Sequence, residues 1–513
     1  MSEPGVVHTL PSSPDEASPP EGGDAAVLAG FGYRQQLHRS LGRYASFAAG
    51  FSFISVLTTV FQFFAFGFGF GGAAFIWTWP LVLVGQLAVA ACFAELAARY
   101  PISGAVYQWS TRLSTPTFGW FAGWLMVIGQ IVVVSAAALA LQVVLPSVWS
   151  GFQLIGGDPT PTTSTGAENA VLLGLVLLAL TTVVNVVDIR VMSRINSIGV
   201  TCELVGIVVM ALLLLTHTRR GPGAVLHTGH SGGGYLGLFL IASFSAAYVL
   251  VGFDSAGEMS EETRAPSRTA PRTILGAVAA AGVGGGLVIL GGLLAAPSLT
   301  DGHLATDGLS YVLTSRLGGS LGRVLLADVA VAVCVATLAI QTAGARMVFS
   351  MARDGQLPGS RRLAAVSSRT GTPSAPALVV GVLAAAVMAL SFFSPSVYLA
   401  LGTTCIVLVY LAYAMVTGPM LLTRLRRRPI GGHEGLDEAG RSLFSLGRWG
   451  LPINVLAVVY GVAMAVNLAW PRAAVYDPQG GHWYLQWFTV LFLLAAVLLG
   501  VLAHRTRRRA AVR

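Results

Sequence analysis

The sequence predicts an all-α membrane protein of about twelve transmembrane helices. Three observations carry that prediction. Only 10% of the 513 residues are charged and 54% are hydrophobic, against roughly 25% charged in soluble domains. The mean hydropathy is +0.72. Apolar windows of about 20 residues, enough to cross a bilayer as helix, recur at 46–66, 73–93, 117–145, 170–187, 197–216, 235–253, 274–297, 322–345, 375–393, 397–422, 451–470 and 485–503. These runs are continuous, whereas the strands of a membrane barrel alternate over about ten residues.

Ahead of the first span, MSEPGVVHTLPSSPDEASPPEGGDAAVLAG is rich in Pro, Ser, Gly and acid. It lacks a basic stretch followed by an apolar core, so residues 1–36 read as a disordered cytoplasmic tail rather than a signal peptide. Every basic residue is Arg, and Arg34, Arg39 and Arg43 precede the first span. Loops on the cytoplasmic side carry the basic excess, which puts the N-terminus there. With twelve crossings the C-terminus joins it, and only Arg219, Arg220, Arg316, Arg323 and Arg472 of the 31 Arg fall outside, with Arg346 near a span end. Two basic segments stand out on the cytoplasmic side, the loop 424–448 and the tail 505–513. The +9 net charge is therefore a topology signal. It is spread over many short loops, which argues against a nucleic-acid partner.

Cys92, Cys202, Cys334 and Cys405 all fall inside expected spans, so no disulfide framework is implied. His227 and His230 sit in a Gly-rich external loop without further ligands, and neither a metal nor a cofactor is expected. The 61 glycines suit close helix approach, and GVGGG at 282–286 reads as packing. Trp77, Trp79, Trp120, Trp124, Trp149, Trp470 and Trp483 lie near span ends and read as interface-belt residues.

Spans 1–5 (37–216) and 6–10 (217–423) divide into two sets of five, with spans 11 and 12 (449–504) appended. Because five is odd, the second set enters the membrane in the opposite orientation. That is the inverted-repeat logic of secondary transporters, whose first helix in each repeat is broken at the midplane. Span 1 reads FSFISVLTT at 51–59 and span 6 reads FSAAYVLVG at 244–252; both share Phe-Ser, three residues, then Val-Leu. Peptide groups released by a break in hydrocarbon must line a cavity or bind something. N–H groups at the start of a half-helix suit a carboxylate, and free carbonyls at the end of another suit an ammonium. Ser55, Thr58 and Thr59 add hydroxyls at the first break, and Gly252 lets the second open.

Beyond the second break runs GFDSAGEMSEET, 252–263. Asp254 is the acid nearest the break, where ionisation in lipid costs roughly 2.5–3.5 kcal/mol on insertion scales. It is either a substrate or proton group or a structural helix-end acid. Glu258, Glu261 and Glu262 read as ion-pair partners of Arg264, Arg268 and Arg272. Glu203 lies some nine residues into span 5 with no base nearby in sequence. It is either a proton carrier, as coupling to a proton gradient needs, or a neutral acid bonded to a neighbouring helix. Asp328 reads as snorkelling outward, Thr337 and Gln341 as site-lining or backbone-bonded groups, and Tyr248 as a residue that closes over substrate or simply packs.

Three stretches in order resemble the amino acid–polyamine–organocation (APC) superfamily, most closely its amino acid/choline branch. They are FAAGFSFISVLTTV at 47–60, WTWPLVLVGQLAVAACFAELAARYPISGAVYQW at 77–109 and GFDSAGEMSEETRAPSRTAPRTI at 252–274, with ARMVFSMARDGQLP at 345–358 as a further block. The resemblance runs from about Leu37 to the end of span 12. It implies a LeuT-like fold with a 5+5 inverted repeat and broken helices 1 and 6. It also implies a substrate carboxylate held by backbone at Ser55, Val56, Leu57, Thr58 and Thr59, and an amine held by carbonyls from Tyr248 and Val249 to Gly252. Tyr248 falls where relatives carry a gating aromatic, Asp254 where some carry an acid, and Glu203 where several proton-coupled relatives carry Lys. The first break lacks the family's common Gly-Ser-Gly, and Thr59 stands where relatives often have Gly. These departures leave substrate size and coupling ion open.

The expected function is a secondary active permease moving an amino acid or related small amine across the plasma membrane. It works by alternating access as a monomer or homodimer, with a proton, or sodium in its place, as the coupling ion. The alternatives within the fold are polyamine, choline or GABA-type transport. A polytopic enzyme would need a catalytic group at a membrane face, and only Asp301 with Asp307 comes close. A sensor would append a soluble domain, and no GxxxxGK[ST] motif marks an ATP-driven pump.

Overall fold

The computed structural model describes residues 23–229, 234–367, 370–392, 396–432, 441–477 and 480–512. His230, residues 1–22 of the tail and part of the 424–448 loop therefore lie outside the described residues. The described chain is helical, with an isolated parallel bridge between Leu41 and Thr263. Ten stretches of it are long and apolar enough to cross a membrane.

α1 (Asp24–Gly30) carries Asp24 in its first turn, where the helix dipole favours an acid. The composition predicts disorder over 1–36, yet here DAAVLAG docks. Leu28, Leu37 and Leu41 are each 2% exposed or less. Their burial supplies the apolar area that Pro- and Ser-rich sequence lacks.

α2 (Arg43–Ile54) and α3 (Val56–Gly71) form one apolar rod interrupted at Ser55. Gly72, at φ 58°, turns the chain through a short 3-10 segment into α4 (Thr78–Arg99). α5 (Ala105–Leu113) leads to α6 (Pro116–Leu139), which starts with Pro in its first turn and a Thr115 hydroxyl accepting the Phe118 N–H at 3.2 Å. α7 (Leu141–Val148), α8 (Ser164–Val187) and α9 (Ile189–Thr216) complete the first half. Asp188 caps α9 by accepting from the Arg190 N–H at 2.7 Å.

The second half opens with α10 (Tyr235–Val249), a shorter apolar helix, followed after a non-helical stretch by α11 (Ser255–Glu258). Then come α12 (Pro266–Ala295), the short α13 (His303–Thr306) and α14 (Gly308–Leu317), and the 35-residue α15 (Gly319–Arg353). After α16 (Ser360–Leu363) follow α17 (Ser374–Ala389), α18 (Ser396–Leu425) and α19 (Gly450–Ala469). α20 (Ala473–Tyr476), α21 (Trp483–Gln486) and α22 (Phe488–Val512) end the chain.

α6 packs on α15 and α18, α12 on α2, α4 and α9, and α3 on α10. The glycine run in α12 serves this packing: Trp79 donates its indole N–H to the Gly282 carbonyl at 2.7 Å and lies over Gly285 and Gly286. Trp79 and Trp120 are thus core residues, 5% and 1% exposed, rather than interface-belt residues. Trp77, Trp149, Trp470 and Trp483 are exposed at helix ends. Leu180, Val183, Ile198, Val205 and Leu212 are exposed on the outer faces of α8 and α9, as lipid contact requires.

Candidate functional site

The break between α2 and α3 is a single residue. Ser55 has φ 37° and ψ 86°, a left-handed conformation that costs a non-glycine residue roughly 1–2 kcal/mol. A helix starting at Val56 leaves its first N–H groups without partners four residues back. One of these, on Leu57, donates to Glu203 Oε1 at 3.0 Å, and the Ser55 hydroxyl donates to the same oxygen at 3.0 Å. Ser55 Oγ also meets Thr58 Oγ1 at 2.7 Å, and the Thr59 hydroxyl donates to the Ser55 carbonyl at 2.8 Å. Glu203 is 1% exposed, and its Oε2 has no partner among the described residues. The acid on α9 therefore closes the back of the α2–α3 break.

The second break is wider. α10 stops at Val249, and Leu250 to Asp254 run non-helically to α11. Gly252 has φ 97°, in the left-handed region open to glycine. A Cβ there would strike the Phe53 ring in α2, so the same glycine brings the two breaks together. Its N–H donates to the Tyr413 hydroxyl of α18 at 3.0 Å, and Tyr413 in turn donates to Asp254 Oδ1. A helix ending at Val249 leaves its last carbonyls free of helical partners.

Between the breaks lies a narrow cavity of about 10 Å³. Its polar wall is Ser55, Thr58, Thr59 and Gln62, and its apolar wall includes Phe53, Val133, Ala336, Ile340 and Ile406, with Tyr248 among the lining residues. Among the described residues no charged side chain lines it. The free space inside is about one water's worth, so the walls must part to admit a solute. Of the candidates from sequence, Ser55, Thr58, Thr59 and Tyr248 face this cavity, while Val56, Leu57, Val249, Gly252, Asp254 and Glu203 do not. Asp254 turns instead to Tyr413, and Glu258 accepts from the Gln130 carboxamide at 2.7 Å. Gln62 was not singled out by sequence reasoning, since one Gln among phenylalanines carries no spacing signal. It lines both this cavity and a larger vestibule walled by α3, α7 and the 305–310 segment. Its Oε1 is buried without a partner among the described residues.

The opposite end is shut. Glu262 pairs with Arg346 at 2.8 Å, both 1% exposed or less at the side chain. Arg353 forks onto Glu261 with two bonds of 2.8 Å. The sequence pattern suggests Arg264, Arg268 and Arg272 as partners; the packing of α15 under the 260–262 turn supplies Arg346 and Arg353 instead. The N-terminal segment covers this network. Gln35 donates to the Glu261 carbonyl at 2.9 Å, Tyr33 to Asp354 at 2.9 Å, and Leu41 N–H to the Glu262 carbonyl at 2.9 Å.

Asp328 does not snorkel outward. Its carboxylate turns in against Gly206, one turn along α9 from Glu203, and Oδ2 lacks a partner among the described residues. Thr337 bonds its own helix at the Val333 carbonyl, and Gln341 bonds Thr182 of α8 at 2.7 Å, so neither lines the cavity. On the far side, Asp301 accepts from Tyr311 at 2.6 Å and His303 meets Asp307 at 2.9 Å in an exposed loop. No group of three metal-ligating side chains occurs among the described residues.

Comparison with known proteins places this architecture in context. A family model described as amino acid permease matches residues 42–495. The chain is 27% identical over 471 residues to the amino-acid permease BAT1 of Arabidopsis thaliana, covering 86% of this chain and 87% of the relative. It is 25% identical to amino-acid permease 2 of Neurospora crassa, over 95% of this chain and 88% of that one. A third relative, the branched-chain amino acid permease BcaP of Lactococcus lactis, is 26% identical over 61% of this chain and 66% of its own length.

Proposed function

The chain belongs to the amino acid permease family of the APC superfamily, and from that premise we propose that it is a secondary active transporter for neutral amino acids with aliphatic side chains. Permeases are transporters, not enzymes. In this reading the chain crosses the plasma membrane twelve times in a LeuT-like 5+5 inverted repeat, both termini cytoplasmic. The interruption of α2–α3 and that of α10–α11 mark the first helix of each repeat. The α2–α4 rod counts as two crossings.

The observation that carries the proposal is the pair of breaks facing one cavity. The N–H groups at the start of α3, apart from that of Leu57, which Glu203 holds, suit the substrate carboxylate, and the carbonyls ending α10 suit its ammonium. Those groups answer a zwitterion's two charges without any ionised side chain. The uncharged lining, Phe53, Val133, Ile340 and Ile406 included, suits an aliphatic side chain. It disfavours polyamines and choline, whose fixed charge would need a facing acid or an aromatic cage. The closed 260–262 network and the open vestibule at the other end support an outward-facing resting conformation.

Glu203 is the proposed proton carrier. Bonded to Ser55 and to the Leu57 N–H, it holds the α2–α3 break while ionised. Protonation weakens both bonds, since hydrogen bonds to a charged acceptor are roughly twice as strong as neutral ones. Proton occupancy thereby becomes linked to the shape of the substrate site. Asp328, on the vestibule side of Glu203 in this topology, is placed to pass protons toward it. Sodium as coupling ion remains the alternative that experiment separates. Uptake into proteoliposomes of labelled leucine, lysine, glutamate, choline and spermidine, each under imposed pH or Na⁺ gradients, tests the reading. Leucine accumulation driven by the pH gradient alone is expected; accumulation driven only by Na⁺ would replace the proton step.

A further inference from the structure

On the basic side of the molecule, three helix ends meet around an open cavity. α4 contributes Arg99 at its C-terminus, α18 and the turn after it contribute Arg424, Arg427 and Arg428, and the segment leading into α19 contributes Arg448. One acid faces them. Glu95 accepts from Arg424 and lies 3.8 Å from Arg99, which also donates to the Ile430 carbonyl at 2.8 Å. Arg424, Arg427, Arg428 and Arg448 thus share one carboxylate among the described residues of the wall. Like charges converging on one concavity repel.

The backbone is bent to bring them there. The Arg428 N–H bonds the Thr423 carbonyl at 3.0 Å and the Arg427 N–H bonds the Arg424 carbonyl at 2.9 Å. This closes α18 in a Schellman turn, whose pivot is normally glycine. Here the pivot is Arg427, at φ 52°. A left-handed non-glycine residue marks strain retained where structure serves a site.

The surroundings identify the ligand. Leu451 lines the cavity, and Leu422, Leu425 and Trp449, sequence neighbours of its arginines, are like it more than 40% exposed. Arg448 lies over the Trp449 ring at 5.7 Å. Guanidinium groups bind phosphate oxygens in pairs, and basic pockets between membrane helices on the cytoplasmic side hold anionic headgroups. We propose that the Arg99–Arg424–Arg427–Arg428–Arg448 cavity binds the phosphodiester headgroup of an anionic phospholipid, with its acyl chains along the exposed leucines of α18 and α19. The assignment rests on the topology proposed above; a binding readout separates it from transport.

The test is thermal denaturation of the purified protein in neutral detergent with added phosphatidylglycerol or phosphatidylcholine. Phosphatidylglycerol is expected to raise the melting temperature of the unmodified protein by about 4 °C at roughly 100-fold excess over its dissociation constant. In Arg427→Gln/Arg428→Gln/Arg448→Gln that rise should shrink to less than about half. Arg361→Gln/Arg362→Gln/Arg505→Gln, which removes three exposed charges elsewhere on the same side, should keep the full rise. An equal loss in both triple variants would reduce the effect to bulk charge and overturn the site. Stabilisation by inorganic phosphate alone, equal to that by the lipid, would overturn the lipid assignment in favour of a soluble anion. A lipid effect that emerges only after Glu434→Gln/Asp437→Asn/Glu438→Gln would show the loop's own acids as the occupants, and also overturn it.

Discussion

Glu203 of α9 and Ser55 of the α2–α3 break share a hydrogen bond of 3.0 Å, and the same carboxylate oxygen accepts the Leu57 N–H at 3.0 Å. A titratable group on one helix is thus bonded to the one left-handed residue interrupting another. Glu203→Gln keeps the size and leaves a neutral acceptor, but cannot release a proton. Gradient-driven accumulation is expected to disappear while substrate exchange across the membrane continues at a reduced rate. Counterflow and pH-jump uptake measured on the same vesicles check this. Unchanged pH dependence in the variant would remove Glu203 from coupling.

Gly252→Ala tests how the two breaks touch. The new methyl group meets the Phe53 ring, and φ 97° is strained for alanine by roughly 1–2 kcal/mol. The initial uptake rate is expected to fall by about tenfold or more, with the protein still present in the membrane. An uptake rate equal to that of the unmodified protein would show that the breaks move independently.

Much of this arrangement was legible in the sequence, for physical reasons. Apolar runs announce membrane helices because lipid admits no unpaired backbone, and the Ser/Thr-rich and Gly-bearing interiors at 51–59 and 244–252 marked the interruptions. The partners of Glu261 and Glu262 were not legible. Arg353 and Arg346 stand 92 and 84 residues away and are delivered by helix packing, while the nearer Arg264 and Arg272 are exposed. Asp254 likewise sits beside the break in sequence but turns to Tyr413 in space. For α1 the signal was the apolar AAVLAG run behind Asp24, masked by the Pro- and Ser-rich residues before it.

Arg346→Ala strips the partner from a fully buried carboxylate. Breaking such a pair costs about 3–5 kcal/mol, so a large fall in melting temperature is expected. Arg264→Ala, at an exposed position the sequence pattern favoured as a partner, should change stability by less than about 1 kcal/mol. Thermal denaturation of both variants checks the contrast; equal effects would contradict the buried pairing.

The His303–Asp307 contact in the exposed loop gives a pH prediction. The Asp307 hydrogen bond, with Asp301 nearby, holds the His303 pKa above the ordinary 6.5. A raised histidine value means the contact stabilises the loop fully below 6.5 and releases it as pH rises through the folded-state value. Asp307→Asn should bring the titration back toward 6.5. NMR titration of His303 in both forms reads this directly, and an unshifted midpoint in the unmodified protein would contradict the contact.

The claim on which the account rests is that a solute sits between the two interruptions, against Ser55, Thr58, Thr59 and Tyr248. Thr59→Trp puts an indole into that space, which holds about one water in this conformation, so its walls must stay parted around the ring. The direct measurement is binding of labelled leucine to the purified protein by scintillation proximity, with and without this substitution. Saturable binding that Thr59→Trp abolishes, in a protein that still melts in one cooperative transition, is the predicted result. Leucine binding that survives the substitution undiminished would put the substrate elsewhere and contradict the account.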